Sequence, residues 1–207
     1  MPLIIKKNSE PFFRDERKRN RDCCSLLEGL ADPDPTTRRW AARDCIDCLG
    51  AAAALVGRLK VEQDISVREV IFTTLTRMGD PLAVAGLVAF LRSEDPALRN
   101  EAIEAMKQLP DEMAPILRNL LADADPDVRI FAVNILESLR HPQVEAWLLA
   151  VIDNDLHINV CSTAVDLLCE VGTEAALEPL ARLKARFADE PYIQFATALA
   201  LARIGQA

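Results

Sequence analysis

Six cysteines are the side chains of this 207-residue chain with the most chemistry to offer, and four of them sit close together in sequence. Cys23 and Cys24 are adjacent, and Cys45 and Cys48 form a C-x-x-C. An antiparallel helical hairpin turning at residues 32–34 would bring residues near 23 beside residues near 45. The four sulfurs would then converge as zinc or iron–sulfur ligands. The competing reading is packing, because Cys is often simply a small buried hydrophobe. Cys161 and Cys169 read as packing residues. The apolar run Leu3-Ile4-Ile5 is too short for an export signal and no segment is long enough to span a membrane, so the expectation is a cytoplasmic chain with reduced thiols and no disulfide framework.

Other catalytic constellations are missing from the sequence. The two histidines, His141 and His157, form no H-E-x-x-H, and there is no G-x-x-x-x-G-K-[ST], G-x-G-x-x-G or G-x-S-x-G. The 32 acidic residues spread along the chain as a solvated surface, with no pair set apart for acid–base work. The expectation is a protein that is not an enzyme and holds no cofactor.

The elements that must position these side chains are helices. Half the residues are hydrophobic but only 5% are aromatic, and Ala and Leu dominate the apolar content. The net charge of −8 makes nucleic acid an unlikely partner. Residues 1–20 read as a basic, flexible N-terminal tail, and residues 21–207 as one helical domain.

Ten residues are written nearly twice, thirty positions apart: SEDPALRNEA at 93–102 and DADPDVRIFA at 123–132. Anchored on the Arg of this D-P-x-(V/L)-R phrase, the series runs Arg39, Arg68, Arg99, Arg129, then Cys161 and Gln194 in degenerate form. A period near thirty means stacked supersecondary units. Positions 3, 7 and 10 past each anchor are mostly apolar and trace one stripe of an α-helix; Ala42, Ile46 and Leu49 fill them in the first unit. Gly50, Gly79, Gly172 and Gly205 follow at position 11, where a left-handed helix stop is expected. A second helix follows, marked by LVGRL (55–59), LVAFL (87–91), LRNLL (117–121) and LLAVI (148–152), and LLEGL (26–30) marks a lone helix ahead of the first anchor. Asp64, Asp95 and Asp125, four residues before their Arg, are expected N-caps, with Pro96 and Pro126 in the first helical position. The Arg side chains are expected to form an Asp/Arg ladder between hairpins. In this register Cys45 matches Ile135, a core position, and Cys48 matches Ser138, a polar one.

The phrases DPTTRRWAARDCIDCLG (34–50), DPALRNEAIEAMKQL (95–109) and DPDVRIFAVNILESL (125–139), with APIL (114–117) and EPLA (178–181), resemble the HEAT-repeat family, in particular the short-repeat type associated with phycobilisome lyases. The resemblance covers about residues 22–207. It implies an all-α, right-handed α-solenoid of about five to six helical hairpins, working as a protein–protein interaction scaffold or adaptor. Alternatives under the same resemblance are a metal- or redox-sensing module built on Cys23, Cys24, Cys45 and Cys48, and a bilin-lyase-type subunit. The His-Glu ligands of HEAT-type hydroxylases are absent.

A binding face can be placed by periodicity. Positions 14, 11, 10 and 7 before the next anchor share one side of each second helix, opposite the core stripe. This face carries Arg58, Val88, Arg92, Arg118, Asn119, Trp147 and Val151 among small residues, without Glu or Lys. An apolar outward face with Trp and Arg is typical of an interface. The expectation is a concave groove holding an acidic, partly apolar segment of a partner protein, with Trp147 and Arg118 as anchors; a homo-oligomer is the other assembly expected. Trp40 is expected half exposed on the outer helices.

Overall fold

The computed structural model describes residues 22–139 and 141–206; the basic segment 1–20 lies outside them. Twelve α-helices follow one another with no strand among the described residues. A lone α1 (Cys23–Gly29) precedes five hairpins: α2 (Pro35–Asp44) with α3 (Ala51–Leu59), α4 (Ile65–Met78) with α5 (Pro81–Ala89), α6 (Pro96–Met106) with α7 (Pro110–Leu120), α8 (Pro126–Leu136) with α9 (Val144–Asn154), and α10 (Ile158–Val171) with α11 (Leu177–Arg186). A single α12 (Pro191–Ile204) ends the array, so the chain is an all-α solenoid.

The D-P phrase starts these helices for the reason its chemistry gives. The carboxylates of Asp34, Asp64, Asp95 and Asp125 accept N–H groups of the first turn that no helical carbonyl reaches. Pro35, Pro96 and Pro126 stand where no N–H is needed. Gly79 stops α4 in the left-handed region at φ 56°, and Gly50 has φ 82°. Gly172 and Gly205 differ from expectation, with φ of −68° and −72°. Gly172 is instead a place of close approach, where a Cβ would come within 2.5 Å of the Leu168 carbonyl oxygen.

Each anchor ties its turn. Arg129 Nη1 donates to the carbonyl of Asp123 at 2.7 Å and Arg99 Nη1 to that of Ser93 at 2.7 Å, six residues back in each case. In the first unit the same bond, at 2.9 Å to Asp32, is made by Arg38 and not by Arg39. The first anchor is therefore Arg38. Arg39 points instead toward the Trp40 ring, 5.9 Å from its centroid. Counted from Arg38, Ala41, Cys45 and Cys48 are the stripe, and all three are buried, whereas Leu49 is 98% exposed. Cys48 thus matches the buried Leu139, not the polar Ser138. Val171 also leaves the expected core, being exposed at the end of α10.

The expected ladder joins the units, with its acids drawn mostly from the turn itself. Arg129 grips Asp155 through Nε and Nη2, and Arg92 reaches Asp123 at 2.7 Å. Arg68 bonds Asp95 at 3.3 Å and Glu101. Most enclosed is Glu62, which takes two bonds from Arg38 and one from Arg58.

The core runs the length of the array between two rows of helices. The anchored helices pack on one another more closely than the second helices do at the same steps, and within the second row the step from α7 to α9 is the most loosely packed. Closer spacing belongs to the inside of a curved stack. The second helices therefore form the outer row and their outward face is convex, which reverses the expectation of a concave face; Trp40, half-buried on α2, belongs to the inner row.

Ala132 is fully buried on α8. Ala132→Leu is expected to lower stability by about 1–3 kcal/mol through overpacking; an unchanged denaturation midpoint would contradict this placement. A second expectation concerns pH. Burial works against the charge of Glu62, but the Arg38 and Arg58 bonds outweigh it and bring its pKa from 4.5 down to about 2. A depressed carboxylate stabilises the fold above its unfolded pKa, and the contribution is lost as pH falls through the folded value. Glu62→Gln should therefore cost about 3–5 kcal/mol at neutral pH, where it strands Arg38. The gap to wild type should close as pH falls from 4.5 toward 2. A gap of constant size across that range would show that the charge of Glu62 is not what holds Arg38.

Candidate protein-interaction groove

Where α7 and α9 separate, the outer row opens into a groove of about 960 Å³. The α7 side contributes Arg118, Leu121 and Ala122, and the α9 side Gln143, Ala146, Trp147, Ala150, Val151 and Asn154. Its end is closed by the turn into α10, with Asp155, Leu156 and His157, by Asp123 of the preceding turn and by Arg129 of α8. Trp147 belongs to α9 at helical spacing from Ala150, Val151 and Asn154, so one face of that helix forms the wall. The indole is half-buried and stacked on His141, with ring centroids 5.0 Å apart and planes within 9°. The His141 Nδ1 accepts the backbone N–H of Gln143 at 3.2 Å, which fixes the ring beside the indole. Leu156 is 81% exposed at the groove's end.

The charges are arranged unevenly. Burial raises the proton affinity of Asp155, but Arg129 and the His157 backbone N–H overcome it and hold the carboxyl below its ordinary range. The Asp125 N–H and then Arg92 do the same for Asp123. Both acids of the groove are thus held as charged partners of arginines. Arg118 is exposed and in no ion pair among the described residues. The groove offers an indole, an exposed Leu and one unmatched cation: an apolar surface with a single positive charge.

Of the residues picked by periodicity, the structure brings Arg118, Trp147 and Val151 together in the groove. Asn119 is exposed on α7 outside the lining. Arg58, Val88 and Arg92 lie elsewhere. Arg58 is bound to Glu62, Arg92 to Asp123 and Asp125, and Val88 packs partly against the core. Two of the three arginines on the face are therefore used within the fold. Periodicity missed Leu156 and His157, which lie on the turn. Their signal was present in the repeat, since His157 stands where four earlier units have Asp.

The cysteines separate into different roles. α1 and α2 do pack as an antiparallel pair, and Cys23 and Cys48 form a disulfide, with Cα atoms 5.4 Å apart. This overturns the expectation of reduced thiols throughout: the pairing joins the start of α1 to the turn after α2, a proximity that compartment statistics do not encode. Cys45 is buried, its Sγ donating to the Ala42 carbonyl at 3.4 Å, and burial pushes its thiol up to about 11. Cys24 is exposed. Among the described residues no three His, Cys, Asp or Glu side chains group as metal ligands, and none of the helices is long and apolar enough to cross a membrane. Thiol titration of the unfolded, unreduced chain should find four free thiols of the six cysteines, and six after reduction. The crosslink closes a separation of 25 residues, so reduction or Cys23→Ser should cost about 3 kcal/mol in stability. Six thiols before reduction would remove the crosslink from the protein.

Comparison with known proteins agrees with this architecture. No curated protein sequence matches the chain. Among solved structures, Cex1p superposes with a TM-score of 0.51 at 13% identity, over 89% of this chain and 43% of that one. An engineered protein aligns at 19% identity and TM-score 0.42, over 90% and 97% of the two chains. The complex of CpcE and CpcF of phycocyanin lyase from Nostoc sp. PCC7120 aligns at 16% identity and TM-score 0.38, over 98% and 100%. The family described as HEAT repeats matches residues 23–107, 52–124 and 114–202. With the repeated D-P-x-(V/L)-R turns and paired helices in place across those same residues, the chain belongs to the HEAT-repeat family.

Proposed function

We propose that this chain is a protein-interaction module, a scaffold or adaptor that works by binding and not by catalysis. Its site is the groove between α7 and α9, and its ligand is an acidic, partly apolar segment of a partner protein. The observation that carries this reading is the combination of Trp147, the exposed Leu156 and the unpaired Arg118 in one groove. Elsewhere on the same row, arginines such as Arg58 and Arg92 are consumed by neighbouring acids. Trp and Arg are the side chains that most often dominate interface energetics. The groove walls are helices held by the solenoid on both sides, so a partner would meet a surface that loses little freedom on binding.

The test is a Trp147→Ala, Arg118→Glu double variant. The helical circular dichroism should stay that of the native chain; because the indole is half-buried against the core and His141, the melting temperature is expected to drop, and affinity is measured well below it. Partners are captured with native protein, identified by mass spectrometry, and remeasured by calorimetry against the variant. Affinity should fall at least about 30-fold, the equivalent of one interface anchor of about 2 kcal/mol. Unchanged affinity for the captured partner would move the site off this groove.

A further inference from the structure

α12 carries an apolar stripe that nothing among the described residues covers. Tyr192, Phe195 and Leu199 are 52%, 67% and 51% exposed, and Ala202 is exposed beside them. Their spacing of three, four and three residues puts all four on one side of the helix. The place of this stripe in the repeat makes it unusual. Phe195 and Leu199 stand one and five residues past the anchor position, Gln194. The five earlier anchored helices hold ten residues at those two places, among them Glu69 and Thr73, Asn100 and Glu104, and Ser162 and Asp166; only Ile130 of the ten is apolar. In α4 and α6, where further helices follow, both places are exposed as well. The stripe is therefore not a core face laid open at the last helix. It is the solvent side of the inner row, made apolar at both places in one unit only, and an exposed apolar face marks an interface. Tyr192 is fixed at its edge, its hydroxyl donating to Asp166 at 2.8 Å.

The charges at the two ends of α12 decide what fits it. Asp189 and Glu190 are exposed at its start and Arg203 is exposed in its last turn, and none of the three is in an ion pair among the described residues. A uniformly basic or uniformly acidic segment would set one of these ends against like charge. A second α12 running antiparallel matches both, with Arg203 of each copy beside Glu190 of the other. The apolar residues obey the same symmetry. About a midpoint at position 197, Phe195 falls opposite Leu199 and the large Tyr192 opposite the small Ala202. Such self-complementarity is what a two-fold interface requires, because every contact is made twice. We propose that α12 is the contact of a homodimer, packed antiparallel against α12 of a second copy. A helix of 14 residues is about 21 Å long. One face of it buries less than the roughly 1,000 Å² of a stable interface, so the pair is weak and forms with concentration. The dimer leaves the groove free, since the groove opens in the outer row and α12 lies in the inner one.

Sedimentation equilibrium of the full chain between about 1 and 300 µM tests this. The mass should rise from monomer to dimer across that range and go no further, as a closed two-fold contact demands. Phe195→Glu should weaken the dimer at least about tenfold, with native helical circular dichroism because the side chain is exposed. Glu190→Arg and Arg203→Glu should each weaken it about threefold or more by setting like charges side by side, and the two together in one chain should restore it. A chain that stays monomeric throughout overturns the proposal and leaves the face to residues 1–21 or to another protein. A dimer untouched by Phe195→Glu overturns it by moving the contact off α12. A dimer lost with Phe195→Glu but not restored by the paired charge reversal overturns the antiparallel arrangement.

Discussion

One bond repeats through this molecule and sets the rest: an arginine donating to the carbonyl six residues before it. Arg38, Arg99 and Arg129 make it directly, to Asp32, Ser93 and Asp123. The carbonyls they reach lie just past the end of a helix, where the backbone has no internal partner and burial without one is costly. The side chain at this place of the turn also has a use of its own. Asp32, Glu62, Ser93, Asp123 and Asp155 each accept the N–H two residues on, which turns the chain into the next helix. At Glu62, Asp123 and Asp155 the same side chain also receives an arginine from the preceding hairpin. The bond that closes a turn is thereby linked to the pair that fixes one hairpin on the next. Where Cys161 replaces the Arg, its Sγ still donates to the carbonyl six residues back, Asp155, at 3.3 Å, and Arg186 adds donors to the carbonyls of Ile152, Asp153 and Asp155.

The lone helix, the hairpins and their order could be read from periodicity, because a thirty-residue repeat with one apolar stripe leaves few alternatives. The register of the first unit could not. Arg38 and Arg39 are equally plausible anchors on paper, and only the Asp32 carbonyl distinguishes them. That single step exchanged Cys48 for Leu49 at the core. Curvature was illegible for a related reason: it depends on how closely two rows of side chains pack, a difference of spacing that no pattern of residue types records. Trp147 and Arg118 were legible because helical spacing places them on one face. The pairing of Arg58 and Arg92 was not, since Arg92 meets acids 31 and 33 residues away.

Regularity and function pull against each other in such an array. A unit that satisfies every group of the repeat has nothing left to offer a partner. The ladder uses acids and arginines against each other, whereas Arg118 lies in the groove outside any ion pair among the described residues. Departures from the rule gather at the turn from α9 to α10: a Leu left exposed, a His where a capping Asp belongs, a Cys where the anchor belongs. In a solenoid such departures stay local, because a unit contacts only its neighbours. Arg186 limits the damage further by satisfying the turn's carbonyls from α11. The break in the pattern is bridged both in place, by Cys161, and from outside, by Arg186. The backbone of the turn stays fixed, with Asp155 held in the ladder by Arg129, while Leu156 and His157 line the groove.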